Sequence, residues 1–168
     1  MTTHIVLDVE ADGPCPGLFS MLEVGLVVVD DGKFDTTFHA QFCPITEKYD
    51  PYALAAIKRT REETLTYTSA LTSTMLMSQW LEQFERTIIW SDNPAFDWQF
   101  FNYYLHLYNG SNPCGHSARR IGDLYSGLQR NLRSSSDWKR LRETKHTHTA
   151  VDDAKGNAEA LWKIIKMM

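Results

Sequence analysis

A change of rhythm near Pro44 restricts what this chain can become: three strand-like segments precede it, and strands alternate with helices after it. Residues 4–9 (HIVLDV) and 21–29 (MLEVGLVVV) are rich in β-branched residues and bounded by turn formers. The second is followed by DDGK, whose Asp31-Gly32 pair suits a tight hairpin. Residues 34–42 (FDTTFHAQF) alternate as a returning strand, with Phe34, Phe38, Ala40 and Phe42 on one side. Beyond Pro44, DPYALAAIKR sets Pro51 at a first helical position behind an Asp50 cap. SALTSTMLMSQWLEQFER spaces Leu71, Met75, Trp80, Leu81 and Phe84 helically, and TIIWS then reads as a buried strand. The segment AFDWQFFNYYLHLY predicts a helix running to Asn109-Gly110, and residues 121–131 predict another. RSSSDWKRLRETKHTH (133–148) is a polar connection. A last helix, about Thr149 to Lys166, turns Ala150, Ala154, Ala158, Leu161, Trp162 and Ile165 toward the sheet. A strand meander followed by strand-helix alternation implies a mixed α/β sheet, not a purely parallel one.

Composition narrows the class. With 168 residues the chain is expected to form a single domain, 1–168, large enough to bury a proper core. Its 43% hydrophobic and 23% charged residues are those of a globular chain, and a net charge of -4 argues against a general electrostatic grip on nucleic acid or anionic membrane. The start, MTTHIVLDVE, has no basic-then-apolar signal pattern, and no apolar run reaches the ~18 residues of a membrane span. Cys15, Cys43 and Cys114 are odd in number and lack CxxC spacing, so neither a disulfide framework nor a structural zinc site is indicated. The expected setting is cytoplasmic, with no membrane partner.

Within the first strand, Asp8 and Glu10 break an otherwise buried pattern. Residues two apart on a strand share a face, so their carboxylates stand side by side and repel unless something positive lies between them. A divalent cation is the simplest remedy, and hard oxygen ligands favour magnesium or manganese. A solvated strand edge is the plainer reading of a lone DxE. Asp97, in NPAFD, and Asp152 and Asp153, in HTAVDDA, each open a predicted helix, where an acid is also favoured simply by the helix dipole. His146 and His148 fit either a surface loop pair or a transition-metal chelate.

In order, DVE (8–10), NPAFD (93–97) and HTAVDDA (148–154) resemble the three motifs of the DEDDh superfamily of 3'-to-5' exonucleases. That group holds bacterial replicase proofreading subunits, ribonuclease T and oligoribonuclease. The motifs map to Asp8 and Glu10, to Asn93, Phe96 and Asp97, and to His148, Ala150 and Asp153, and MLEVG (21–25) is similar to the family's second strand. His148 lies five residues before Asp153, as the histidine class requires; the tyrosine class would carry Tyr where this chain has Thr149. Asp153 rather than Asp152 is therefore the ligand that the resemblance implies.

The resemblance implies a ribonuclease H-like fold with a mixed five-stranded sheet flanked by helices. It also implies two divalent cations, Mg2+ or Mn2+: Asp8 bridging them, Glu10 and Asp153 on the one that activates water, and Asp97 holding the second, with His148 as general base. The implied reaction is hydrolysis of single-stranded RNA or DNA from its 3' end, releasing nucleoside 5'-monophosphates. Ala11, Asp12 and Gly13 are expected against the terminal nucleotide, with Asn93 and Phe96 completing the substrate contacts, although many relatives carry Thr where this chain has Ala11. Basic residues between His116 and Lys145, among them Arg119, Arg120, Lys139, Arg140 and Arg142, offer a path for a phosphate backbone. The aromatic helix 95–108 is expected to be buried or to pair with a second copy, a homodimer. The rival reading is a catalytically silent nucleic-acid-binding or polymerase-associated module of the same fold; five retained polar groups count against it.

Overall fold

The computed structural model describes residues 2–168. Five strands form one sheet: β1 (Thr2–Ala11), β2 (Met21–Val29), β3 (Thr37–Gln41), β4 (Arg86–Ser91) and β5 (Ala118–Arg120), in the order β3-β2-β1-β4-β5. The first three run antiparallel, whereas β4 joins β1, and β5 joins β4, in parallel. The sheet is mixed, as the sequence pattern requires. Asp31 (φ 43°) and Gly32 (φ 82°) both take positive φ at the β2–β3 turn, the geometry whose twist matches the flanking strands.

Alternation along β1 makes two different faces. Ile5, Leu7, Val9 and Ala11 enter a core shared with helices α3 (Ala70–Leu81) and α4 (Pro94–Asn109). Val6 enters a second core against α5 (Ile121–Gln129) and α6 (Ala150–Ile165), and Asp8 and Glu10 continue that same face. The first strand thus changes from apolar to acidic as it runs under the start of α6. Ala150, Ala154, Ala158 and Leu161 are fully buried, and their small side chains let α6 lie close to the sheet. Gly25 completes that approach, since a Cβ there would stand 2.3 Å from the Ala150 carbonyl carbon.

Three expectations need correction, and one strand is not located by the sequence pattern. β3 begins at Thr37, so Phe34 lies outside it and packs with the α6 core, away from Phe38, Ala40 and Phe42. On α3 the buried face is Ala70, Ser73, Thr74, Met77, Ser78 and Leu81, while Leu71 and Met75 are about half exposed at 52% and 47%. Of these hydroxyl residues Ser73 finds a partner on the sheet, its Oγ donating to the Gln41 carbonyl at 2.7 Å. The connection at 133–148 is not merely polar; Leu132–Ser134 and Asp137–Leu141 wind into short 3-10 turns around a fully buried Trp138. Lastly, the fifth strand is only three residues long, too short to leave a periodic trace.

The aromatic helix α4 spends its rings inside the chain. Phe100, Phe101, Tyr104 and Leu105 are fully buried, and the Met21 N–H donates to Tyr104 Oη at 2.9 Å. That removes the sequence argument for pairing α4 with a second copy. No helix among the described residues is long and apolar enough to cross a membrane.

Candidate active site

Four elements converge above the carboxyl end of β1. The strand supplies Asp8 and Glu10, and a shift in its register with β2 between Glu10 and Ala11 turns the chain just where the acids end. Helix α6 supplies Asp153 from its first turn, 1% exposed. Oxygen atoms of Asp8, Glu10 and Asp153 all lie within 4.8 Å of one another.

Asp97 enters from α4, which starts at Asn93 with Pro94 at its first position. Its Oδ1 accepts from the Val9 N–H at 3.2 Å and its Oδ2 from the Ser91 hydroxyl, so the carboxylate is pinned to the backbone between Asp8 and Glu10. Asp153 is held by the turn that precedes its helix: Oδ1 accepts from the Thr147 N–H at 2.9 Å and Oδ2 from the His148 N–H at 3.0 Å. His148 takes a left-handed backbone, φ 61°, which a β-branched residue would resist. Its Nδ1 stands 3.8 Å from Glu10 Oε1, with the side chain 38% exposed.

Charge is poorly balanced here. Burial, and then the Asp97, Glu10 and Asp153 carboxylates, push the Asp8 carboxyl well above its ordinary range, with the Arg142 guanidinium pulling the other way. Burial, then Asp153, Glu23 and Asp97, raise Glu10 to about 8. Asp97 is raised to about 7 by burial, against the bonds from Ser91, Val9 and Asn93 that favour its charged form. Buried oxygen ligands crowded this closely, with little cationic compensation, fit a hard divalent cation better than they fit one another. Asp8, Glu10 and Asp153 are the residues that would hold it.

The expected substrate contacts fare differently. Asp12 is fully buried: Arg61 Nη1 donates to its Oδ2 at 2.9 Å, and the Ser20 N–H donates to its Oδ1. Its side chain braces the loop and is not available to a nucleotide, which corrects that expectation. Ala11 is 5% exposed, and Gly13 has no room for a side chain, since a Cβ would sit 2.0 Å from the Phe19 ring. Phe96 packs on Phe100 with ring centroids 5.2 Å apart, whereas Asn93 is exposed and makes no side-chain cap bond. Of the basic strip, Arg119, Arg120, Lys139 and Arg140 are exposed, but the Arg142 side chain is only 12% exposed and serves the acids internally.

Two supporting residues escape a motif reading. Glu23, opposite Glu10 on β2, is 3% exposed; its Oε1 accepts from the Ala150 N–H at 2.9 Å and meets His39 Nε2 at 2.9 Å. It caps the helix that carries Asp153, and its traces in the sequence are an acid inside the otherwise apolar run MLEVGLVVV and the likeness of MLEVG to the family's second strand. His146 is the other, with Nδ1 2.9 Å from Asp153 Oδ2.

Known proteins share this arrangement of elements. The RNase T family model, whose description is exonuclease, matches residues 5–161. The 3'-5' DNA exonuclease Cap18 of Escherichia coli is 31% identical over 176 residues, covering 97% of this chain and 91% of the relative. Among solved structures, the nuclease domain of 3'hExo, a DEDDh family member bound to rAMP, superposes with a TM-score of 0.76 at 14% identity, covering 98% of this chain and 92% of that one. E. coli Exonuclease I in complex with a dT13 oligonucleotide superposes with a TM-score of 0.73 at 14% identity, covering 98% of this chain and 41% of that one. The fold, the ordered acids and the family match lead to one conclusion: this chain belongs to the DEDDh 3'-to-5' exonucleases, metal-dependent enzymes that act on nucleic acids.

Proposed function

We propose that this enzyme shortens single-stranded DNA from its 3' end, releasing nucleoside 5'-monophosphates, with His148 as general base. The observation that carries the reading is the meeting of Asp8, Glu10 and Asp153 within 4.8 Å beside a half-exposed histidine whose backbone is tied to one of them. DNA is preferred over RNA because the relative at 31% identity is a DNA exonuclease. Asp8, Glu10 and Asp153 would hold one divalent cation and Asp8 with Asp97 a second, and bound cations supply a lowered pKa for the attacking water and relief of charge on the phosphate.

The remaining work belongs to the chain. Val9 and Ser91 fix Asp97, Thr147 and His148 fix Asp153, and Glu23 fixes the start of α6, so the acids keep their places while exposed to one another's charge. His148, its side chain 38% exposed and its Nδ1 3.8 Å from Glu10 Oε1, stands where it takes the proton from the attacking water. Asn93, exposed and without a side-chain cap bond at the start of the helix that carries Asp97, would contact the terminal nucleotide. Arg119, Arg120, Lys139 and Arg140 offer the approaching backbone a positive edge.

The test uses 5'-labelled single-stranded DNA and RNA with magnesium or manganese, then with chelator. Stepwise shortening that is faster on DNA and abolished by chelator is expected, and His148→Ala should cost ~10²- to 10⁴-fold in turnover. Internal cuts would reject the 3'-end assignment, faster shortening of RNA would reject DNA as substrate, and near-normal turnover of His148→Ala would remove the base.

A further inference from the structure

Asp153 stands at the corner of two different ligand sets. One is all oxygen, from Asp8, Glu10 and Asp153; the other is His146, His148 and Asp153, again with one ligand atom from each inside 4.8 Å. We propose that His146, His148 and Asp153 form a separate, inhibitory site for a borderline transition cation, zinc above all. Zinc bound there would take the base and a shared carboxylate out of the reaction together.

The two sets differ in chemistry. Magnesium and manganese prefer carboxylate and water oxygens, whereas two imidazoles and one carboxylate are a common zinc set, with a fourth position left to water. Position 146 lies outside the three family motifs, so this second set belongs to the chain's own HTH segment. The segment is already folded for it. His146 Nδ1 lies 2.9 Å from Asp153 Oδ2, and the two imidazoles meet edge to face with centroids 4.2 Å apart. The left-handed backbone of His148 and the bond from the Thr149 N–H to Thr147 Oγ1 hold the loop in that shape. Ligand atoms of a tetrahedral zinc site lie about 3.3 Å apart, so the widest separation must close by at most about 1.5 Å. Turning the imidazoles achieves this, because the His146 and His148 side chains are 51% and 38% exposed while Asp153 stays fixed by two backbone N–H groups.

The inhibitory half of the proposal rests on His148 being the base; the binding half does not. Equilibrium dialysis of the full chain against zinc, in saturating magnesium and without nucleic acid, should show one zinc per chain. His146→Ala should weaken that binding at least ~10-fold, a lost direct ligand costing no less than a lost supporting partner. His146→Gln, which keeps a hydrogen-bond donor near Asp153 but offers no ring nitrogen, should weaken it similarly. Zinc inhibition of each variant, taken against its own zinc-free rate, should follow the dialysis midpoint. Unaltered zinc affinity in both variants overturns the site and places zinc among the oxygens of Asp8, Glu10 and Asp153. Zinc bound through His146 with turnover intact overturns the inhibitory role. Failure of the base assignment is read separately, from the zinc-free turnover of His148→Ala.

Discussion

Gly25→Ala is the sharpest perturbation available, because it acts on the site without altering any group in it. A Cβ at this position would stand 2.3 Å from both the carbonyl carbon and the oxygen of Ala150 and 2.4 Å from the Val151 nitrogen. Ordinary contact begins at 3.4 Å, so about 1.1 Å must be opened against the first turn of a helix, where no side chain can swing aside. Gly25 is the register partner of Asp8, and Asp153 sits in that same first turn of α6. Pushing the helix away therefore separates Asp153 and His148 from Asp8 and Glu10 and stretches the bond from Ala150 to Glu23. A misplacement on the order of 1 Å costs ~10²-fold in rate, or about 2.7 kcal/mol of transition-state stabilisation. The same overpacking should cost about 1–3 kcal/mol of stability, lowering Tm by about 2–12 °C in a chain of this size. Turnover of labelled single-stranded DNA at saturating metal and substrate measures the first effect, and thermal unfolding the second. Gly122→Ala is the matched comparison: its Cβ would meet the Ser135 oxygen at 2.3 Å, away from the acids, so stability should fall while kcat holds. A folded Gly25→Ala enzyme within about threefold of wild-type kcat, or equal kcat losses in both variants, refutes the reasoning.

Other outcomes follow from the crowded carboxylates and the buried ion pair. In chelator, Glu10 at about 8 and Asp97 at about 7 bind protons more tightly in the folded protein than at their ordinary values of 4.5 and 3.8. At these two groups the folded state then holds more protons than the unfolded one, so their contribution to stability is fully present below about pH 4 and is lost as pH rises to about 8; a Tm in chelator that rises between about pH 6 and 8 contradicts it. Saturating magnesium or manganese should flatten that slope and add about 2.7 kcal/mol at a hundred times Kd, and Asp8→Asn should lose both the added stability and turnover, by calorimetry and assay. Arg61→Ala strands the buried Asp12 carboxylate and should cost about 3–5 kcal/mol in urea unfolding; a cost below about 1 kcal/mol would show that Asp12 does not depend on it.

Much of this was readable from residue order, and the exceptions share a cause. Strands β1 and β2, the Asp50-Pro51 helix start and the α6 face follow from local pattern, because each depends on neighbours within a turn or two. The acids were found through motif spacing, since Asp8, Glu10, Asp97 and Asp153 occur on elements whose ends a mixed α/β sheet gathers. What eluded the pattern depends on partners distant in the chain. Leu71 and Met75 look like a core stripe on α3, yet the sheet accepts Ser73, Thr74 and Ser78, whose small size and hydroxyl groups suit the close approach. Asp12 is expected against the terminal nucleotide from its place after Glu10, yet Arg61, far along the chain, holds its side chain. Glu23 is equally distant from the helix that it caps, and no periodicity links it to Ala150.

The wide separation of the acids along the chain also governs timing. Asp8 and Glu10 belong to the first strand, Asp97 to the middle, and Asp153 with His148 to the final helix and its approach. A growing chain on the ribosome therefore carries three of the four acids before the fourth or the histidine exists. The long-range closure that brings α6 onto β1 and β2 is among the slower contacts to form in a fold of this kind. On the function proposed above, the site is therefore assembled as a late event of folding.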